Sequence, residues 1–340
     1  MAEKEAAAEK KAANIGEERI LAPLLSVASS PHIRTSESIS KIMWTVNATL
    51  IPVALWGVYI FGWRALAQII LCGITAMLCE AGIMKIRKLK NTWLDGSAFL
   101  TGILLAFCIP VGLPYWMSVL GVIFAVAIAK QAFGGLGQNI FNPAHAGRAF
   151  LLASFPVQMT LWPFVPTANR LIDATTTSTP LKLLKESGGI NAVIDYFGGR
   201  GEMYKALFFG NMSGCIGEVS AFLIIIGGIY LIAKKYIFWQ TPVAYVATVA
   251  ILAFVTGGDP LFHVLSGGLM LGAFYMLTDM VTSPITVLGQ IIFAAGAGVL
   301  VFLIRKYGSY PEGVCYSILL MNCVTPLIDK YCKPKRRKLT

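Results

Sequence analysis

Long apolar runs alternate along this chain with short stretches rich in Gly, Pro, Lys and Arg. A helix needs about 20 apolar residues to cross a bilayer, because every backbone polar group must be satisfied without water. Measured against that length, the sequence predicts spans near 42–62, 65–84, 97–113, 115–132, 143–156, 215–233, 238–256, 260–277, 285–304 and 309–329, ten in all. The third, fifth and eighth are short or interrupted by Gly and Pro. The expected organisation is a lead-in over 1–41, five helices over 42–156, a polar segment over 157–214, five helices over 215–329 and a basic tail over 330–340. Five spans on each side of the polar segment suggest a duplication, and an odd number per copy inverts one copy relative to the other. Two local matches support it. Asp95 with Leu100-Thr101-Gly102 at the third span parallels Asp259 with Leu265-Ser266-Gly267 at the eighth. Phe141-Asn142-Pro143-Ala144 at the fifth parallels Tyr310-Pro311-Glu312-Gly313 at the tenth.

Composition agrees with the pattern. The 340 residues are 56% apolar and 13% charged, with a mean hydropathy of +0.69. A soluble domain carries about 25% charged residues. An ordinary soluble enzyme, a disordered protein and a nucleic-acid module are therefore excluded as readings, and no nucleic-acid partner is expected despite the net charge of +11. The cations sit in short blocks between apolar runs, where they set membrane orientation. With both ends in the cytoplasm, that side holds 19 Lys and Arg, including Lys85, Arg87, Lys88, Lys90, Lys130, Lys234, Lys235 and the KPKRRK tail. The opposite side keeps 8, namely Arg64, Arg305, Lys306 and five within 157–214. The polar segment is thus expected outside the cell. No cleavable leader is read at the start; AEKEAAAEKKAA reads as a solvated surface helix. Seven Cys without a CxxC pair and three scattered His argue against a metal or iron–sulfur site built by this chain alone.

Three groups of residues carry candidate chemistry. The first is Asp173-Ala-Thr-Thr-Thr-Ser178-Thr179-Pro180-Leu181 in the outer segment. Thr179 is placed as a helix N-cap and Pro180 as the first helical residue. Hydroxyls and free N–H groups at such a start also suit a phosphate, although a capped surface helix explains the same residues. The second is the run Gly134-Gly135-Leu136-Gly137-Gln138-Asn139-Ile140-Phe141-Asn142-Pro143-Ala144. Glycines let backbone approach a flat ligand, and two Asn offer donors and acceptors; a tight turn reads equally well. No strand precedes these glycines and no Lys-Ser/Thr follows, so no nucleotide fingerprint is present. The third is the set of ionisable residues inside or at the ends of spans: Glu80, Arg148, Glu218, Asp259, His263, Asp279 and Glu312. Such groups are functional suspects by position, with snorkelling to water the plainer explanation near span ends. Asp279, within Thr278-Asp279-Met280-Val281-Thr282-Ser283-Pro284, stands out because hydroxyls surround it at an interrupted helix end. Arg148, one turn after the Asn-Pro break, is a candidate partner for a ligand's charge or for an ion pair.

Taken together, GGLGQNIFNPA (134–144), DATTTSTPL (173–181), TDMVTSP (278–284) and GSYPEGVCYSILLMN (308–322) resemble the family of Rnf electron-transport D subunits and the related B subunits of sodium-pumping NADH:quinone reductases. The resemblance runs from residue 30 to about residue 329. In that family a Thr in an S/T-G-A-T type motif carries FMN through a phosphoester, with an Asp six residues earlier. Carried over, Thr179 would bear the FMN and Asp173 would be the upstream acid, with Ser178 beside them. Thr177 and Ser178 stand where that motif has Gly and Ala, and Thr176 and Thr177 are neighbouring hydroxyls.

The resemblance also implies a noncovalent riboflavin on the inner half, with Asn139 and Asn142 as its contacts and Gly137 in the glycine run beside them; Asp279 then suits a flavin contact or a hydrated cation, and Arg148 flavin charge or an ion pair. It implies a urea-channel-like fold and a flavin transferase that installs the FMN from FAD. The function implied is electron relay within a ferredoxin:NAD oxidoreductase complex of a bacterial inner membrane, coupled to movement of Na+ or H+. The A, B, C, E and G partners of such a complex would hold any iron–sulfur clusters and the NAD site. Read without the resemblance, inverted halves and interrupted helices would equally describe a flavin-free channel or secondary transporter.

Overall fold

The computed structural model describes residues 37–88, 92–162, 178–187, 189–210, 212–308 and 310–333. Most of the lead-in, Asp173 with the hydroxyls before Ser178, and most of the basic tail lie outside the described residues. Among the described residues the structure is helical, with no strand.

The first half contains α1 (Ile39–Phe61), α2 (Trp63–Ile86), α3 (Ser97–Cys108), α4 (Tyr115–Gln131) and α5 (Pro143–Ser154). A single turn, α6 (Pro156–Met159), follows. Three short helices come next, α7 (Pro180–Ser187), α8 (Ile190–Phe197) and α9 (Arg200–Phe209). The second half contains α10 (Ala221–Ala233), α11 (Gln240–Val255), α12 (Pro260–Leu265), α13 (Leu269–Leu271), α14 (Val287–Tyr307) and α15 (Val314–Tyr331). Among the described residues, α1, α2 and α14 are long and apolar enough to cross a membrane, and α3, α4, α10 and α11 are shorter apolar helices.

Most of the predicted spans coincide with a helix, and the departures have local causes. The third ends at Cys108 because Ile109 is extended and Pro110 follows; the residue before a proline disfavours helical geometry. The sixth was expected from residue 215, but its helix begins only at Ala221. Residues 212–220 instead form a buried loop with one 3-10 turn at Ile216–Glu218, and Ser220 holds φ 63 while its hydroxyl caps α10. Non-helical backbone at such depth is tolerated when protein covers it. Gly217 makes that cover possible: a Cβ there would lie 2.9 Å from the Phe107 carbonyl. The eighth breaks at Ser266–Gly268, where Gly267 and Gly268 sit at φ 67 and 65, a region open to glycine and costly for other residues.

Lys130 requires a correction. The orientation count used it as a cytoplasmic cation at the end of the fourth span, yet it lies buried in the π-helical second half of α4 and is 1% exposed. Its ammonium donates to Glu80 Oε2 at 3.0 Å and to Ser97 Oγ at 2.7 Å. Arg305, counted on the opposite side, is buried in the last turn of α14 and donates to the carbonyls of His263 at 2.5 Å and Ser266 at 2.9 Å. The two halves therefore share a device. Asp95 accepts from the Ser97 N–H at the start of α3, and Asp259 accepts from the Phe262 N–H at the start of α12. In each half a buried base ending a later helix reaches those same short helices.

Apolar packing forms one main core through both halves, around Leu50, Leu105, Phe107, Tyr245 and Phe293. A smaller cluster joins α7, α8 and α9 through Leu181, Val193, Met203 and Leu207, seated on Phe262 of α12. The described part of the polar segment is thus a small helical cap fixed to the second half.

Candidate functional site

Between this cap and the first half lies a cavity of about 450 Å³. Its walls come from Arg148 and Leu152 of α5, Trp162 after α6, Lys182 and Lys185 of α7, and Tyr310, Glu312 and Tyr316 around the start of α15. Such a volume lies within the range that takes a drug-sized ligand. Three aromatic rings offer flat apolar contact, and two lysines offer positive charge. Thr179 stands one turn before Lys182. Its Oγ1 accepts from the Lys182 N–H at 3.4 Å, and its carbonyl accepts from the Leu183 N–H at 2.9 Å. The predicted N-cap with Pro180 after it is therefore present. Thr179 is 2% exposed and does not itself line the cavity. Ser178 is solvent-facing enough to bond Glu186 Oε2 at 3.5 Å.

The cavity floor is polar and deeply buried. Arg148 forms an ion pair with Glu312. Glu218, from the buried loop before α10, is 5% exposed and faces Glu312 and the Cys215 thiol. Arg148 thus keeps company with carboxylates of the second half, away from the other residues implied to contact riboflavin.

Those other residues meet in a second, smaller space. Asn139, Asn142, Asp279, Lys130, Ser97 and Tyr275 line a cavity of about 60 Å³, room for about two waters. An isoalloxazine ring does not fit that space as it stands. Most polar atoms there are also occupied. Asn142 Oδ1 caps α5 by accepting from the Ala144 and His145 N–H groups at 3.1 and 3.4 Å, and its Nδ2 donates to the Met276 carbonyl at 3.2 Å. Asn139 Nδ2 donates to the Phe141 carbonyl, while its Oδ1 has no partner among the described residues. Asp279 accepts from Thr282 Oγ1 at 3.2 Å. Gly137, at φ 95, is exposed within the turn that closes α4 and lines neither cavity.

The structure places Asn139, Asn142 and Asp279 around one small space, and Arg148 apart from them in the ion pair that was one of its two readings. Sequence reasoning flagged Glu218 and Glu312 singly, without their meeting. It missed Trp162, Lys182, Lys185, Tyr310 and Tyr316. An Arg one turn past an Asn-Pro break and a Glu two residues after Tyr310 were the available signals, but nothing in spacing pairs residues 164 positions apart.

A sequence profile described as the NQR2, RnfD, RnfE family matches residues 26–338. The chain belongs to this family. It is 52% identical over 327 residues to the D subunit of the proton-translocating ferredoxin:NAD(+) oxidoreductase complex of Clostridium ljungdahlii, covering 94% of this chain and 98% of that protein. It is 49% identical over 313 residues to the D subunit of the Na(+)-translocating ferredoxin:NAD(+) oxidoreductase complex of Acetobacterium woodii, covering 92% and 94%. The D subunit of the ion-translocating oxidoreductase complex of Stutzerimonas stutzeri is 39% identical over 326 residues, covering 88% and 92%. Membership fits a helical membrane protein whose relatives work as subunits of ion-translocating oxidoreductases.

Proposed function

We propose that this chain is the D subunit of an ion-translocating ferredoxin:NAD oxidoreductase complex in a bacterial inner membrane, and that it relays electrons through FMN esterified to Thr179. The observation that carries the reading is the position of Thr179. It heads α7, a helix whose next turn puts Lys182 and Lys185 on a cavity walled by Trp162, Tyr310 and Tyr316. The residues present fit the group. Unpaired N–H groups at a helix start favour a phosphate, the lysines add charge, and aromatic walls suit a flat ring. When bound, the isoalloxazine supplies the redox chemistry, and the protein supplies position and potential. Lys182 and Lys185 balance phosphate charge, while the rings exclude water from one face.

Thr179 is buried, so attachment by a transferase requires the α7 start to swing outward or to be modified before Leu181 docks against Gly267. The cap α7–α9 lies on the extracytoplasmic side in this reading, with both termini cytoplasmic. The shared capping aspartates and the paired buried bases, Lys130 and Arg305, support two inverted copies of about five spans each. The relay proposed here runs through the FMN, and no step is drawn through riboflavin, because the space of about 60 Å³ around Asn139 and Asn142 is smaller than its ring as it stands.

A denaturing gel of chain purified from a host with the transferase tests the reading. The band should fluoresce as a flavin, lose all fluorescence in Thr179→Ala and keep it in Thr179→Ser. A dark wild-type band from that host overturns the relay and favours a flavin-free transporter.

A further inference from the structure

Glu218 and Glu312 come from segments far apart in sequence, yet their carboxyl groups and Arg148 form one buried cluster. Two carboxylates held together out of water repel, and a single proton on the pair relieves both the repulsion and the cost of burial. Arg148 neutralises one of the two by its ion pair with Glu312. Glu218 is 5% exposed, its Oε1 has no partner among the described residues, and the Cys215 thiol faces its carboxyl. Other titratable groups around the pair are Cys108 of α3, His145 of α5, Cys315 of α15 and, farther off, Arg305 of α14, while Lys182, Lys185, Glu186, Tyr310 and Tyr316 line the cavity on which Glu312 opens. Arg305 spends its N–H groups on the carbonyls of His263, Ser266 and Gly267 rather than on a carboxylate.

An unpaired negative charge at this depth is unfavourable. Thiols and a guanidinium are poor ligands for a hard metal cation, which asks for several oxygens. A proton is the cation that fits.

We propose that Glu218 and Glu312 form a buried proton-binding site that opens on the 450 Å³ cavity through Glu312. Loading adds one proton to the pair and removes one negative charge. Unloading returns the proton to water in the cavity, and no electron moves in either direction. Arg148 is the positioning residue, holding Glu312 while leaving Glu218 to share. The proton site stands whether or not a flavin is attached at Thr179.

Infrared spectroscopy of the full chain carrying Thr179→Ala, in water and in heavy water, tests the site apart from the flavin assignment. A protonated-carboxyl stretch should be present at neutral pH and shift on deuteration. Glu218→Gln should abolish it, because Glu312 is then left facing Arg148 alone. Glu312→Gln should abolish it as well, because Arg148 is then free to pair with Glu218. Having two substitutions keeps the test intact if one fails to fold. No such stretch in the parent chain, or a stretch that survives both substitutions, overturns the proposal.

Discussion

Two buried charge clusters of this protein look alike by composition and differ in how well they are satisfied. Around Lys130, the ammonium bonds Glu80 and Ser97, and the other Glu80 oxygen accepts from Gln131 at 2.8 Å and Thr92 at 3.3 Å. The adjoining space is about 60 Å³. Around Arg148, two carboxyl groups compete for one guanidinium, Arg148 Nε and Glu218 Oε1 lack partners among the described residues, and the adjoining cavity is about 450 Å³. A buried ion pair with each atom engaged is a fixture of the fold. One with polar atoms left over, beside open volume, is equipped to bind something. Burial alone separates neither case; the tally of partners on the charged atoms does, since Gln131 Oε1 and Asn139 Oδ1 near Lys130 also lack partners among the described residues.

The comparison breaks most sharply under substitution. Lys130→Met strands Glu80 as an uncompensated buried carboxylate. It should cost about 3–5 kcal/mol, seen as a large fall in thermal midpoint or in the folded, monodisperse fraction in detergent. Glu218→Gln, by contrast, keeps shape and removes a group that is already undersatisfied, so its midpoint should stay close to that of the parent. Equal losses in both variants would erase the distinction between fixture and site.

A smaller effect tests whether Asn142 is a cap rather than a ligand contact. Asn142→Ala should destabilise by about 0.5–2 kcal/mol, and Asn142→Ser, which retains a capping oxygen, should recover most of it. Failure of Ser to rescue would point to the amide nitrogen's bond to the Met276 carbonyl as the greater contribution.

The smallest effect lies in the helical cap, where Tyr204 of α9 hydrogen-bonds Asp259. Burial, and then the bond to Asp259, pushes the Tyr204 hydroxyl above its usual value. A folded-state value raised above the unfolded one stabilises fully below the unfolded value of about 10 and is lost as pH rises through the folded one. Tyr204→Phe should therefore lower stability by about 0.5–1.5 kcal/mol at neutral pH, with the gap closing in strong alkali. A gap that widens with pH would contradict the bond.

The sequence was informative wherever the physics is local. Apolar length placed helices close to most of the predicted spans. Asn142-Pro143, Asp259-Pro260 and Thr179-Pro180 each announced a helix start, because a cap and its first turn are made within four residues. The positive-φ glycines at 134, 135 and 137 announced the turn closing α4. It was silent where two distant segments must meet. The 212–220 loop reads as apolar enough for a span, and only its burial against Phe107 and Gly57 lets it stay unwound.

What the amino-acid order determined by itself is the solvent and the punctuation: a chain too apolar for water, cut into helices at Gly, Pro and capping residues. What only the tertiary structure decided is the pairing of charges. Lys130 became a buried partner of Glu80 instead of a cation marking one membrane face, and of the two readings open for Arg148 packing chose the ion pair, with Glu312. The reason is that a span's hydropathy depends on each residue's own transfer energy, whereas the fate of a buried charge depends on the other charge it meets, and that meeting is made by packing between helices.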